Sequence, residues 1–124
     1  MRKRNLILMA CLFLFCLADS SEASAQCKNI RIPSGQISTT VKGVTAKKYA
    51  CYRIRARAGQ KIILHLASAD KRVKFSLSQD YYDADFTAEN VRDWEGEIGD
   101  VDAYLISVGG GKPGSAYTLE VTIR

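Results

Sequence analysis

The sequence predicts an all-β domain of two antiparallel sheets packed face to face. Three observations carry this: apolar residues recur with a period of two, no long segment has a helical period, and turn residues separate most of the alternating runs. From Lys48 to Arg57, the residues Ala50, Tyr52, Ile54 and Ala56 share one face, and Cys51, Arg53, Arg55 and Arg57 share the other. After the turn Ala58-Gly59-Gln60, the residues Ile62, Leu64 and Leu66 alternate with Ile63, His65 and Ala67. Val73, Phe75 and Leu77 follow the polar turn Ser68 to Arg72. Tyr104, Ile106 and Val108 form a further strand, and Tyr117, Leu119, Val121 and Ile123 form the last. Ile37 to Val41, and more weakly Ile30 to Ile32, open the domain. Pro33-Ser34-Gly35, Lys42-Gly43 and Gly109 to Gly114 read as turns. Gln79 to Val101 has weak periodicity, so it reads as a long loop holding one irregular strand, with Val91 and Trp94 as anchors. Short strands with one apolar face each need a second layer to bury that face.

The first residues set the compartment. Arg2, Lys3 and Arg4 precede thirteen uncharged residues, Leu6 to Ala18. Asp19 to Glu22 end the run, and Ala23-Ser24-Ala25 is the small-x-small pattern of a signal-peptidase site. The run is shorter than the roughly 20 residues a span needs, so no membrane span is expected after cleavage. Residues 1–25 are thus expected to be a cleavable signal peptide and residues 26–124 a single periplasmic or secreted domain. Without Arg2, Lys3, Arg4, Asp19 and Glu22, the chain carries 15 basic and 11 acidic residues, a net charge of +4. That balance favours solubility and does not mark a nucleic-acid binder.

Cys11 and Cys16 leave with the leader, so Cys27 and Cys51 remain. An even pair in an exported chain reads as one disulfide, which a loop of this length makes worth about 3 kcal/mol. Cys51 lies opposite the core face, so the bridge is expected to staple the N-terminal arm to an edge or outer surface.

No constellation for catalysis stands out. The only histidine, His65, cannot form a metal cluster alone, and no G-x-S-x-G motif occurs. No enzyme activity and no cofactor are expected. Nine acidic residues lie between Asp80 and Asp102. They read as a solvated loop, as a partner-binding loop, or, through Asp80, Asp83 and Asp85, as a calcium site without the glycine and terminal glutamate of an EF-hand. Arg53, Arg55 and Arg57 form a basic stripe about 7 Å apart residue to residue. It serves either an anionic partner or acidic residues of the same domain. The glycine-rich stretch before Tyr117 leads into a strand, so it is not a phosphate loop. It reads as a flexible hairpin loop or as one that enters a partner's cleft. The candidate partner-contact residues are Asp80, Asp83 and Asp85 on the acidic loop, with Lys112 and Ser115 on the glycine loop.

The run Tyr49-x-x-Tyr52-Arg53-Ile54-Arg55-Ala56-Arg57-Ala58-Gly59-Gln60-Lys61-Ile62 resembles the hallmark of bacterial pre-peptidase C-terminal-like (PPC-like) domains. Val73 to Leu77, Ala103 to Val108 and Ala116 to Val121 continue the same order, so the resemblance spans roughly Ile37 to Arg124. It implies a jelly-roll-like antiparallel β-sandwich of about seven to eight strands, the family's form of sandwich. Family members are usually accessory domains of secreted hydrolases. Free-standing periplasmic members include inhibitors of g-type lysozyme, which push loops into the enzyme's cleft. Lys42-Gly43 and the Gly59-Gln60 turn fit those inhibitors. Ser34-Gly35 lacks the tyrosine of the Ser-Gly-x-x-Tyr loop used by inhibitors of other lysozyme types. The resemblance implies a protein-binding domain whose partner is another exported protein, a lysozyme being the candidate. The alternative is a stand-alone structural or carbohydrate-associated module. The exported product is expected to begin at Gln26 and to show no free thiol, and intact-mass measurement with and without thiol labelling checks both.

Overall fold

The computed structural model describes residues 27–81, 84–99 and 103–124, and the expected leader lies outside them. Among the described residues nine strands form: β1 (Lys28–Asn29), β2 (Ser38–Val44), β3 (Ala50–Arg55), β4 (Lys61–Ser68), β5 (Lys74–Gln79), β6 (Phe86–Val91), β7 (Asp93–Glu97), β8 (Ala103–Gly109) and β9 (Ala116–Ile123). They make a five-stranded sheet in the order β1-β3-β8-β5-β6 and a four-stranded sheet in the order β2-β9-β4-β7. From β2 onward this is the strand order of an eight-stranded jelly roll. Among the described residues, no helix is long and apolar enough to cross a membrane.

The alternation in the sequence is the alternation in burial. Ile62, Leu64 and Leu66 of β4 are buried, whereas His65 between them and Ala67 after them are exposed. Tyr117, Leu119 and Val121 of β9 face inward beside them. Tyr52 and Ile54 of β3, Phe75 and Leu77 of β5, and Tyr104, Ile106 and Val108 of β8 close the core from the other sheet. Trp94 of β7 meets Tyr104 of β8 across the layer at 6.4 Å between ring centroids.

Several elements differ from their sequence reading. Lys42 and Gly43 do not turn; they lie inside β2, where Gly43 pairs with Tyr117. A Cβ at Gly43 would overlap the Tyr117 ring, so the glycine there makes room for an aromatic neighbour. The segment from Gln79 to Val101 holds two strands, not one. β6 closes one edge of the larger sheet and β7 one edge of the smaller, with Arg92 at the corner between them. Val91 and Trp94 pack on the core, and Ile98, 3% exposed, is buried more deeply than either. β6 alternates irregularly because its register shifts twice against β5, and β7 alternates but carries only one large apolar residue, Trp94. The expected all-antiparallel arrangement has one exception: β1 pairs with β3 in parallel. The glycine-rich stretch is not a hairpin, since β8 and β9 belong to different sheets. Only β5 and β6 follow one another within a sheet.

Cys27 and Cys51 are disulfide-bonded, with Cα atoms 4.6 Å apart. The pairing of Lys28 with Tyr52 sets this geometry, because it puts the preceding residues Cys27 and Cys51 side by side. The bridge fastens the N-terminal arm along the edge of β3.

One polar contact joins the two sheets through the core. The hydroxyls of Tyr52 on β3 and Tyr117 on β9 share a hydrogen bond of 2.6 Å. Burial first, and the Tyr52 hydrogen bond second, push the Tyr117 hydroxyl well above the ordinary phenol range. Each hydroxyl is the other's partner, so removing one strands the other. Tyr52→Phe or Tyr117→Phe alone is expected to cost about 1–3 kcal/mol, and the double variant less than the two combined. Urea denaturation of the four proteins checks this; strictly additive losses would refute the coupling.

Candidate functional site

Cross-sheet connections collect the loops at two ends of the sandwich. At one end lie the links β2–β3, β4–β5, β6–β7 and β8–β9. At the other lie β1–β2, β3–β4, β5–β6 and β7–β8. The six or seven residues of β5 and β8 separate the ends by roughly 20 Å at the rise of a strand. The candidate contact residues therefore split. Lys112 and Ser115 sit at the first end, whereas Asp80 and Asp85 sit at the second. Asp83 lies outside the described residues.

The first end is built around Asp70, on the β4–β5 link. Its carboxylate accepts the backbone N–H groups of Arg72 at 3.0 Å and Lys112 at 2.9 Å. It also accepts the Arg72 guanidinium twice, through Nε and Nη2, each at 3.0 Å. The Arg72 side chain foremost, then the Lys112 and Arg72 amides, hold this carboxyl well below the usual carboxylate range. Asp70 thus ties the glycine loop to its neighbour. Thr45, buried on the β2–β3 link, ties it from the other side. Its Oγ1 donates to the Lys112 carbonyl at 2.9 Å and accepts the Ser115 N–H at 3.0 Å. Backbone bonds from Thr45 N–H to Ser115 O and from Gly114 N–H to Thr45 O complete the fastening.

The glycine loop is therefore held, not loose. Gly110 and Gly111 have φ of 90° and 67°, a region that favours glycine. A Cβ at Gly110 would strike the Arg72 carbonyl, and one at Gly111 the Asp70 carboxylate. Ser115 turns its hydroxyl inward to the Lys112 carbonyl, so it shapes the loop instead of facing outward. Lys112 stays exposed at the tip. Tyr49 and Val44, about three-fifths exposed, stand at the two ends of the loop, Tyr49 over Gly109 and Val44 paired with Ala116.

At the second end, Asp80 accepts the Arg53 Nε at 2.8 Å, so the first residue of the basic stripe is internally paired. Arg55 and Arg57 have no carboxylate within 4.0 Å among the described residues. No three His, Cys, Asp or Glu side chains come together to hold a metal among the described residues. Asp85 is exposed beside Phe86. His65 lies on the outer face of β4, hydrogen-bonded to Asp93.

Sequence reading singled out Lys112 and Ser115 but missed Thr45, Asp70 and Arg72, which hold them in place. Asp70 two residues before Arg72 in a polar turn is a weak local signal. Its partner Lys112 is 42 residues away, and only the fold joins them.

No family model matches this sequence, nor does any curated protein. Solved structures do match. The backbone aligns with Aeromonas hydrophila PliG, a periplasmic inhibitor of g-type lysozyme, at a TM-score of 0.69 and 18% identity over 80% of this chain and 96% of that one. Salmonella Typhimurium PliG aligns at 0.57 and 18% identity, over 82% of this chain and all of that one. The pre-peptidase C-terminal domain of a Bacillus anthracis collagenase aligns at 0.60 and 13% identity, over 84% and 100%. The fold is that of PPC-like domains and g-type lysozyme inhibitors. At such identities the likeness is one of fold.

A group whose folded pKa is depressed stabilises the fold above its unfolded pKa and loses that effect as pH falls toward the folded value. Asp70 is expected to contribute fully above about pH 4, the ordinary aspartate value, and to lose its contribution progressively below it. Asp70→Asn should flatten that acid limb of the stability profile and speed amide exchange at Lys112. An acid limb identical to that of the parent protein would refute the assignment.

Proposed function

We propose that this chain is an exported protein-binding domain that inhibits a g-type cell-wall lysozyme by seating the glycine loop, residues 109–115, in the enzyme's cleft. The observation that carries the reading is the double fastening of that loop by Asp70 and Thr45. A loop already fixed in one conformation loses little entropy on binding, which favours tight association. Its narrow glycine backbone suits a cleft, and Lys112 at the tip presents a cation. Glycosidases work with a pair of carboxylates, so a cation is complementary to such a cleft. Tyr49 and Val44 would cover the rim, as exposed aromatic and aliphatic side chains do at protein interfaces. The fold shared with two PliG inhibitors supports the same reading.

The reading gives Asp80, Asp83 and Asp85 no place in the cleft. It rests on export, with residues 1–25 as the leader and residues 26–124 as the working domain. The second reading, a stand-alone structural or carbohydrate-associated module, draws on the fold shared with the collagenase domain.

Purified residues 26–124 are expected to slow lysis by a g-type lysozyme near equimolar ratio. Lys112→Glu should weaken inhibition by roughly 100-fold, mainly through a faster off-rate, since it puts a carboxylate against carboxylates in a desolvated site. Unimpaired lysis at about tenfold excess, in the range where even micromolar binding would register, with g-, c- and i-type enzymes all tried, would favour the module.

A further inference from the structure

The end of the sandwich opposite the glycine loop carries a second concave surface. β1 pairs with β3 for only two residues, and a last bond from Ile30 N–H to the Arg53 carbonyl follows at 2.8 Å. The arm then leaves β3 to reach β2 in the other sheet, turning at Pro33-Ser34-Gly35 with a bond from Gln36 N–H to Pro33 O. Where arm and strand diverge, a groove of about 1020 Å³ opens between residues 29–36 and the end of β3. Its wall is anchored by the Cys27–Cys51 bridge and by Ile30, which packs on the core.

Four arginines line this groove: Arg31 on the arm and Arg53, Arg55 and Arg57 on and just beyond β3. Among the described residues, no acidic side chain lines it. Asp80 neutralises Arg53, whereas Arg31, Arg55 and Arg57 form no ion pair among the described residues. Ile32, Ala56 and Ile123 add apolar surface to the same lining. Arg55 and Arg57 repeat every second residue, about 7 Å apart, which is also the repeat of same-face side chains in an extended peptide.

We propose that this groove is a binding site for an extended acidic segment of a partner protein, with carboxylates at alternate positions and apolar side chains between them. Arginine forks donate two parallel N–H bonds to a carboxylate. A phosphate or sulfate polymer would satisfy the cations but would leave the apolar part of the lining unmatched. The site is independent of the lysozyme reading, since it lies at the other end of the strands.

The test is fluorescence anisotropy of residues 26–124 with three labelled probes: a peptide of alternating Glu and Leu, its Gln-Leu counterpart, and polyphosphate of equal charge. Saturable binding of the Glu-Leu peptide alone is expected, weakening by roughly tenfold or more in R55Q/R57Q and again in R31Q, because each removes charge-assisted bonds. Circular dichroism of these exposed-site variants reports on folding, and lysozyme inhibition should be unchanged in them. No saturable binding of the Glu-Leu peptide, equal binding of the Gln-Leu peptide, binding unaffected by R55Q/R57Q, or tighter binding of polyphosphate would each overturn the proposal.

Discussion

Each strand must bury one face in the layer between two sheets, and this constraint organises the molecule. It sets the period-two pattern in β3, β4, β5, β8 and β9. It also forces a choice at every turn: the chain either pairs back within its sheet or crosses to the other. Here it crosses at every link but one. Crossing gathers distant stretches of sequence at the two ends, so surfaces far apart in the chain become neighbours. The Tyr52–Tyr117 bond sits in the middle of this layer and ties one sheet to the other.

The central strands were legible in the sequence for a simple reason. A strand with two neighbours and one buried face shows its parity residue by residue, as Ile62, Leu64 and Leu66 do. Parity does not name a partner. Tyr117 follows the glycine loop directly, yet β9 pairs with β2 and β4 and not with β8. That is why the glycine stretch read as a hairpin. Gly43 misled in another way: glycine signals a turn when nothing else is known, but here it answers the bulk of a tyrosine on the adjacent strand. The edge strands β6 and β7 gave little signal: β6 shifts register twice against β5, and β7 turns a single large apolar side chain, Trp94, toward the core.

The candidate site was legible only in outline. Lys112 and Ser115 could be found from a glycine-rich stretch between strands. The groups that hold them could not, because Thr45 and Asp70 reach them over 67 and 42 residues of sequence. Charge was easier to see than its use. Three arginines on one strand face were evident from spacing, but among the described residues Arg53 has an ion-pair partner while Arg55 and Arg57 have none, and Arg31 joins them only because the arm turns back beside β3. The acidic residues were read as one feature, whereas the fold sends Asp80 to a loop, Glu89 to β6 and Asp93, Glu95 and Glu97 to β7.

That distribution along β7 matters when copies of the chain meet. β7 is the exposed margin of the smaller sheet, a row of backbone donors and acceptors open to any passing strand. Its sequence places a carboxylate at every second position, all pointing outward, with only Trp94 turned toward the core. Two such margins brought together in ladder register would set like charges against one another at close range. Lys61 compensates Glu95 from inside the sheet and leaves the outer row negative. The margin is thereby guarded against pairing with a second copy of itself, because ladder register would bring like charges together.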